Sequence, residues 1–225
     1  MNKKILITVA AATMMASVAS ASPLTDYSVG KTAVDLTWRN TQLSSPDLGD
    51  AGKKNNMDWG ITTGLGNKWA VQYRQFDPKS KDSSYSEFGT TYTDNFQLKT
   101  QEFNVLYKID KNVSAYAGIM KVKGAYNWSE SGFGSGSDPI KSANKWQIGV
   151  VGTTKLAEKT TAYASVGTGK DLTTWGIGVG QELAPNVEFN VDYRSIKANK
   201  LEWNDGSHID ATAKGLGFGV TYKFK

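Results

Sequence analysis

His208 is the only imidazole in the chain, and it lies between Ser207 and Ile209 with Asp205 and Asp210 close by. Serine, histidine and carboxylate are the materials of nucleophilic hydrolysis, but catalysis needs them within hydrogen-bond reach of one another. Adjacent residues of an extended strand point to opposite faces, so this spacing separates Ser207 from His208. The reading is a solvent-exposed loop histidine and no catalytic residue. Asp47, Asp50, Asp94, Asp138 and Asp205 are scattered and lack the close oxygen-ligand spacing of a calcium loop. The chain has no cysteine, which excludes a thiolate metal site and a disulfide scaffold. Gly167-Thr168-Gly169-Lys170 lacks the spacing and the following helix of a phosphate loop, and it reads as a hairpin tip. No metal and no cofactor are expected.

A second set of charges is better organised, because it falls on one face of alternating segments. Lys31, Asp35, Arg39, Asp58, Arg74, Glu102, Lys108, Lys145, Lys155, Glu182, Glu188, Asp192, Arg194 and Lys223 make eight bases and six acids, interleaved with Gly176, Gly178 and Gly180 and with Gly215, Gly217 and Gly219. A strongly selective pore carries rings of one sign. Mixed signs favour cross-strand pairing that fills a narrow interior, or a thin and weakly selective aqueous path. Arg39, Arg74, Glu102, Asp192 and Arg194 are the constriction or pairing residues on this reading. Glycine weakens a solvent-facing strand; here it makes room for bulky neighbours.

The elements that must hold these residues repeat with a period of two. Val34, Leu36 and Trp38 alternate with Asp35, Thr37 and Arg39, and the same alternation recurs from Met57, Trp69, Phe103, Val113, Trp146, Ala162, Trp175, Val187 and Leu216. About ten strands and no helix result, with eight strands as the alternative because the segment from Phe96 to Glu102 has mixed parity. Short connections at 65–68, 110–112, 157–159 and 184–186 alternate with longer polar ones at about 41–56, 77–95, 124–144, 167–173 and 198–212. That regularity is an antiparallel meander with two unlike ends.

Period two alone does not say which face meets water. Trp38, Trp59, Trp146 and Trp175, with Tyr73 and Tyr193, fall on the apolar face at one end of their strands; Trp69, Tyr107, Tyr222 and Phe224 fall on it at the other, with Val, Ile, Leu and Ala between. Two aromatic belts around an aliphatic band match the two interfaces of a bilayer. Closure also removes the sheet edges that lipid cannot hydrogen-bond. The N-terminus agrees: a basic start, an apolar run from Ile5 to Val18 and the small-x-small site Ala19-Ser20-Ala21 predict a cleaved signal over residues 1–21, leaving 22–225 as one barrel domain. Loss of Lys3 and Lys4 lowers the formal charge from +5 to +3, too small an excess to imply a nucleic-acid partner. After residue 21 no apolar run approaches the roughly 20 residues of a membrane helix, and the mean hydropathy of −0.42 excludes only that helical route.

These features, with the ending Leu216-x-Phe218-x-Val220-x-Tyr222-x-Phe224, resemble the small outer membrane β-barrels, the broad group of opacity-type, OmpX-like and porin-family proteins. The resemblance covers the whole mature chain as a pattern. It implies a closed, all-β, up-and-down antiparallel barrel in the outer membrane, surrounded by lipid and lipopolysaccharide, monomeric, and delivered to the barrel assembly machinery through its last strand, which here carries one further residue, Lys225. His208-Ile209-Asp210 superficially resembles the His/Asp dyad of omptin proteases, whose further acidic pair would have to come from Asp77 or Asp82; no spacing supports that. The expected function is a porin-like narrow channel or structural envelope protein. Two alternatives remain at this stage. One is an adhesin or ligand-binding barrel acting through the loop aromatics Tyr85, Phe88, Tyr92, Tyr126, Trp128, Phe133 and Trp203; the other is a secreted lipocalin-type barrel.

Overall fold

The structure is a computed structural model in which residues 23–46 and 49–224 are described. The expected signal segment 1–21, Asp47 and Lys225 lie outside the described residues. Eleven strands follow in order: β1 (Thr32–Ser45), β2 (Gly49–Gly66), β3 (Trp69–Phe76), β4 (Ser83–Glu87), β5 (Thr90–Asp110), β6 (Val113–Glu130), β7 (Gly134–Ala157), β8 (Thr160–Gly169), β9 (Leu172–Ala184), β10 (Val187–Glu202) and β11 (His208–Phe224). All pairings are antiparallel, and β3 bonds to β5 while β1 bonds to β11, so ten of the strands close a ring and β4 is left as a short hairpin arm on β5. The ring satisfies the backbone of every spanning strand internally, as a bilayer requires.

At one end the connections are two-residue turns. Asn67 and Lys68 both have positive φ, 49° and 72°, the geometry whose twist suits a tight hairpin. At the other end the sequence reading needs correction. The polar, Gly/Ser/Asp-rich stretches taken as long loops are mostly strand: β5, β6 and β7 run for 21, 18 and 24 residues, and the β6–β7 ladder continues to Glu130↔Gly134. A polar composition looked like loop because in this region the outward residues are polar and many inward ones are small. The hairpin tip expected at 167–170 is real, with the turn at Lys170 and Asp171.

Apolar side chains are exposed outside and polar ones buried inside along the lower strands. Leu36 and Trp38 face out while Asp35, Thr37 and Arg39 are buried. The interior is filled in three layers. At the short-turn end the segment before β1 folds in: Leu24 and Tyr27 pack with Ala33, Ala70, Leu106 and Tyr116. Tyr27 Oη donates to Ser114 Oγ at 3.0 Å, and its carbonyl accepts from Gly66 N–H at 2.8 Å. A Cβ on Gly64 would stand 2.5 Å from the Ser28 carbonyl oxygen, so this docking needs glycine there. The middle layer is charged. Above it, Leu43, Phe76, Phe96, Leu98, Met120, Val122, Ile140, Leu172, Ile196 and Leu201 form an apolar core inside the barrel.

Candidate functional site: a charged layer across the barrel interior

Six charged side chains meet in the middle layer. Arg39 from β1 is 2.8 Å from Asp192 (β10) and 3.0 Å from Asp58 (β2), and it donates to the Gly215 carbonyl at 3.0 Å. Asp58 is the hub, since Arg74 (β3) and Arg194 (β10) approach it at 3.8 and 3.7 Å. Arg194 also pairs with Glu102 on β5. Glu102 then accepts from Gln147 Nε2 at 3.4 Å, and the same amide donates to Asn104 at 2.9 Å. Asn104 continues to Gln72 and Gln72 to Thr62, at 3.2 and 3.1 Å. Three guanidiniums thus face three carboxylates, so the layer is internally neutral.

Small residues make this density possible. A Cβ on Gly217 would lie 2.9 Å from both Arg39 Nη1 and Asp192 Oδ1, and one on Gly178 would lie 2.5 Å from the Tyr163 ring. Tyr116 fills the space over Gly149 and Gly167 in the same way. Phe76 closes the layer from above, with the guanidiniums of Arg39 and Arg194 each 5.9 Å from its ring centre, a cation–π arrangement. Arg39, Asp58, Arg74, Glu102, Asp192 and Arg194 are all at most 2% exposed.

All five residues singled out from the sequence therefore meet in one cluster. Asp58, which joins them, stands among the inward charges of the sequence without being selected, and Tyr116 and Tyr163 are not singled out there. Their parity was the available signal, because each is flanked by outward alanines. Of the remaining inward charges, Asp35 is buried and accepts from Thr221 Oγ1 at 2.7 Å, while at the two ends Lys223 pairs with Glu188, Lys108 donates to the Thr25 carbonyl, and Lys145 to that of Asn199.

On the outer wall, Trp38, Trp59, Trp146, Trp175 and Tyr193 form the belt nearer the tall hairpins. Trp69, Tyr222 and Phe224 form the other, with Tyr107 against Trp69 at 4.7 Å. Trp59 meets Tyr73 and Trp175 meets Tyr193, each pair at 5.3 Å. From Phe224 to Leu216, which stands opposite Tyr193, β11 runs about 27 Å along the strand. At the usual tilt of spanning strands that is about 20 Å of apolar height.

Residues 8–224 match the family described as outer membrane protein beta-barrel domain. The chain belongs to this family. It is an outer membrane protein, which removes the secreted lipocalin-type alternative. The short turns are then periplasmic and the tall hairpins extracellular. Among solved structures, the outer membrane protease OmpT from Escherichia coli is 11% identical over 92% of this chain and 99% of its own, with a TM-score of 0.53. The translocator domain of the autotransporter NalP from Neisseria meningitidis is 13% identical over 87% and 89%, with a TM-score of 0.49. Ail, the attachment invasion locus protein of Yersinia pestis, is 13% identical over 87% and 99%, with a TM-score of 0.48. At 11% identity the likeness to OmpT is one of fold alone. No curated protein matches the chain.

The rim carries no assembled hydrolytic group among the described residues. Ile209 points into the apolar interior, so its neighbours His208 and Asp210 face outward. Ser207 gives both its backbone N–H and its hydroxyl to Asp205, at 2.8 and 2.6 Å; these bonds hold the Asp205 carboxyl below its usual value. Asp77 is engaged by Gln75, and Asp82 lies near Lys54 and Lys79.

Proposed function

We propose that this outer membrane barrel is a closed structural envelope protein, non-conducting and without catalysis, that presents rigid β-hairpins at the cell surface. The burial of the six-residue charged layer carries this reading: its side chains leave no room for water beside them, and apolar layers lie above and below. An aqueous path would have to break paired charges, and removing the partner of a buried charge costs about 3–5 kcal/mol. Planar-bilayer recordings of the purified, folded protein test it. Silence at moderate voltage is expected, and reproducible unit conductance from the wild type would overturn the closed reading in favour of the narrow channel. The protein acts as a monomer on this view, with β11 presenting its alternating apolar face to the assembly machinery.

One observation favours a second reading, adhesion or ligand binding by the extracellular tips. Phe88 and Phe133 are 99% and 78% exposed at the ends of two neighbouring hairpins. Those tips are tied together by Thr91 N–H to Ser131 Oγ at 3.0 Å and Ser131 N–H to the Thr91 carbonyl at 2.9 Å. Beside them Tyr85 stacks on Tyr92 at 4.9 Å. Tyr126 and Trp203, by contrast, pack on the inner apolar core and cap the mouth. Because residues 125–143 are strand as well as tip, deleting them would damage the sheet. The informative variant is Phe88→Ser with Phe133→Ser, which should abolish attachment of expressing cells if the tips bind and leave it unchanged if they do not.

A further inference from the structure

Six lysines stand outward level with or just above the extracellular aromatic belt, and among the described residues none of them makes an ion pair or a hydrogen bond: Lys53, Lys99, Lys121, Lys123, Lys197 and Lys214. Their rows follow from the register. Phe103, Ile119 and Trp146 share one row of the belt; the next outward row is Gln101, Lys121 and Asn144, and the next sets Lys99 directly opposite Lys123. On the far side of the barrel, Ser195, Lys214, Gln42 and Lys53 lie in one row beside Trp175, and Lys197 is one outward step higher. Like charges directly opposite on neighbouring strands are destabilising unless something neutralises them. Among the described residues no carboxylate does so: Asp77, just past the end of β3, takes the Gln75 amide, and Asp50 takes that of Gln42. Near the periplasmic end Lys108, Lys155 and Lys223 are bonded within the protein, and Lys68, Lys111 and Lys159 stand singly at separate turns; among the described residues no two lysines face each other across a ladder there as Lys99 and Lys123 do.

Height identifies the missing counter-charge. Lys121 stands two residues, and Lys99 and Lys123 four, above the Phe103–Ile119–Trp146 row, about 7–14 Å along a strand and about 5–10 Å along the normal of a tilted barrel. That is the thickness of the headgroup layer, which adds some 5–7 Å on each side of the hydrocarbon. Lysine stems lie along apolar surface while their ammonium groups reach such a layer. We propose that Lys99, Lys121 and Lys123 form a docking site for the phosphates of the outer leaflet's glycolipid, with Lys53, Lys197 and Lys214 forming a second, weaker site across the barrel. The cations fix the lipid at the wall, and the lipid relieves the Lys99/Lys123 repulsion in turn.

Titration of the detergent-folded protein with bis-phosphorylated lipid A tests the assignment. Near an anionic surface each lysine is worth about fivefold in affinity, so K99Q/K121Q/K123Q should bind about 100-fold more weakly and K99R/K121R/K123R should bind as the wild type does. Dephosphorylated lipid A should bind weakly to all three, and K111Q/K159Q, which alters two periplasmic turns, should leave the affinity unchanged. Heat-modifiable migration in gels reports whether each variant is folded; if the triple glutamine variant does not fold, K123Q alone should show the fivefold loss. Wild-type affinity in the glutamine variants, or equal binding of the dephosphorylated lipid, would overturn the site. Displacement of lipid A by inorganic phosphate at equal phosphate concentration would overturn its lipid source and leave a free-anion site.

Discussion

The membrane-spanning half of the barrel and its extracellular half are built from the same strands with opposite sidedness. From the Trp146 row downward, β5 and β6 point Phe103, Val105, Tyr107 and Ile119 outward and bury Asn104 and Ser114. A few residues higher the same strands bury Met120, Val122, Leu98 and Phe96 and expose Lys99, Lys121 and Lys123. One sheet thus passes from lipid-facing to water-facing solvent. In hydrocarbon the outer wall must be apolar and the inner face can be polar if its groups pair; in water the ordinary rule of apolar inside returns. β5 makes the change in composition alone, without altering which residues point inward. On β10 the register shift between Ala198 and Leu201 turns an odd-numbered residue inward as well.

The contrast can be broken from either side. The largest effect is expected at Asp58. Asp58→Ala leaves Arg39, Arg74 and Arg194 without their shared carboxylate, and loss of about 3–5 kcal/mol should show as a lowered denaturant midpoint in lipid vesicles. In the extracellular half an apolar deletion replaces an ionic one: Leu98→Ala should cost about 2–5 kcal/mol in the same measurement, whereas Lys99→Ala one position away should stay within about 0.5 kcal/mol. Equal effects at Leu98 and Lys99 would sink the sidedness switch. Gly178→Ala pushes a methyl into the Tyr163 ring and is expected to cost about 1–3 kcal/mol, relieved in the double variant with Tyr163→Leu but not in that with Tyr163→Phe if the ring is the obstacle.

The smallest effect is at the exposed Lys141–Glu202 pair. A hydrogen bond from Lys141, with its charge, holds the Glu202 carboxyl below its ordinary value. A depressed folded value stabilises above the unfolded one, about 4.3, and that contribution is lost as pH falls through the lowered folded value. NMR titration should find Glu202 lowered in the wild type and returned towards normal in Lys141→Met, with hardly any change in melting temperature because the pair is solvated.

How far these halves could be read from sequence follows from the same physics. In the lipid-facing half two independent signals agree, period-two alternation and the sorting of aromatics by height, and so Trp38, Trp59, Trp69, Trp146, Trp175, Tyr193, Tyr222 and Phe224 all lie on the outer wall and Arg39, Arg74, Glu102, Asp192 and Arg194 all inside. In the extracellular half the alternation pairs small or apolar inward residues with Ser, Thr, Asn, Gly and Lys outward, a composition shared with loops. The mixed parity from Phe96 to Glu102, which left the strand count open, was the trace of the switch itself: Phe96 and Leu98 are inward because water, not lipid, is outside. Asp58 escaped selection because its importance lies in three partners on three other strands, Arg39, Arg74 and Arg194, which no spacing along one strand records. Leu24 and Tyr27 carry no periodicity, and only their burial beneath β2 and β6 reveals them as the periplasmic closure.

The pairing of β1 with β11 has a kinetic consequence. Thr32 meets Phe224, and Arg39 bonds to the carbonyl of Gly215, 176 residues further along the chain. The first strand cannot find its second neighbour until the last has been delivered, so the contacts that complete the fold are also its most distant in sequence. Topologies dominated by such contacts form slowly. The same seam slows the reverse process, since opening it means parting a full strand ladder and, behind it, the Arg39–Asp192 pair. The persistence of this protein in the envelope is then a matter of its escape rate, and weakening the seam should shorten its lifetime more than it lowers its equilibrium stability.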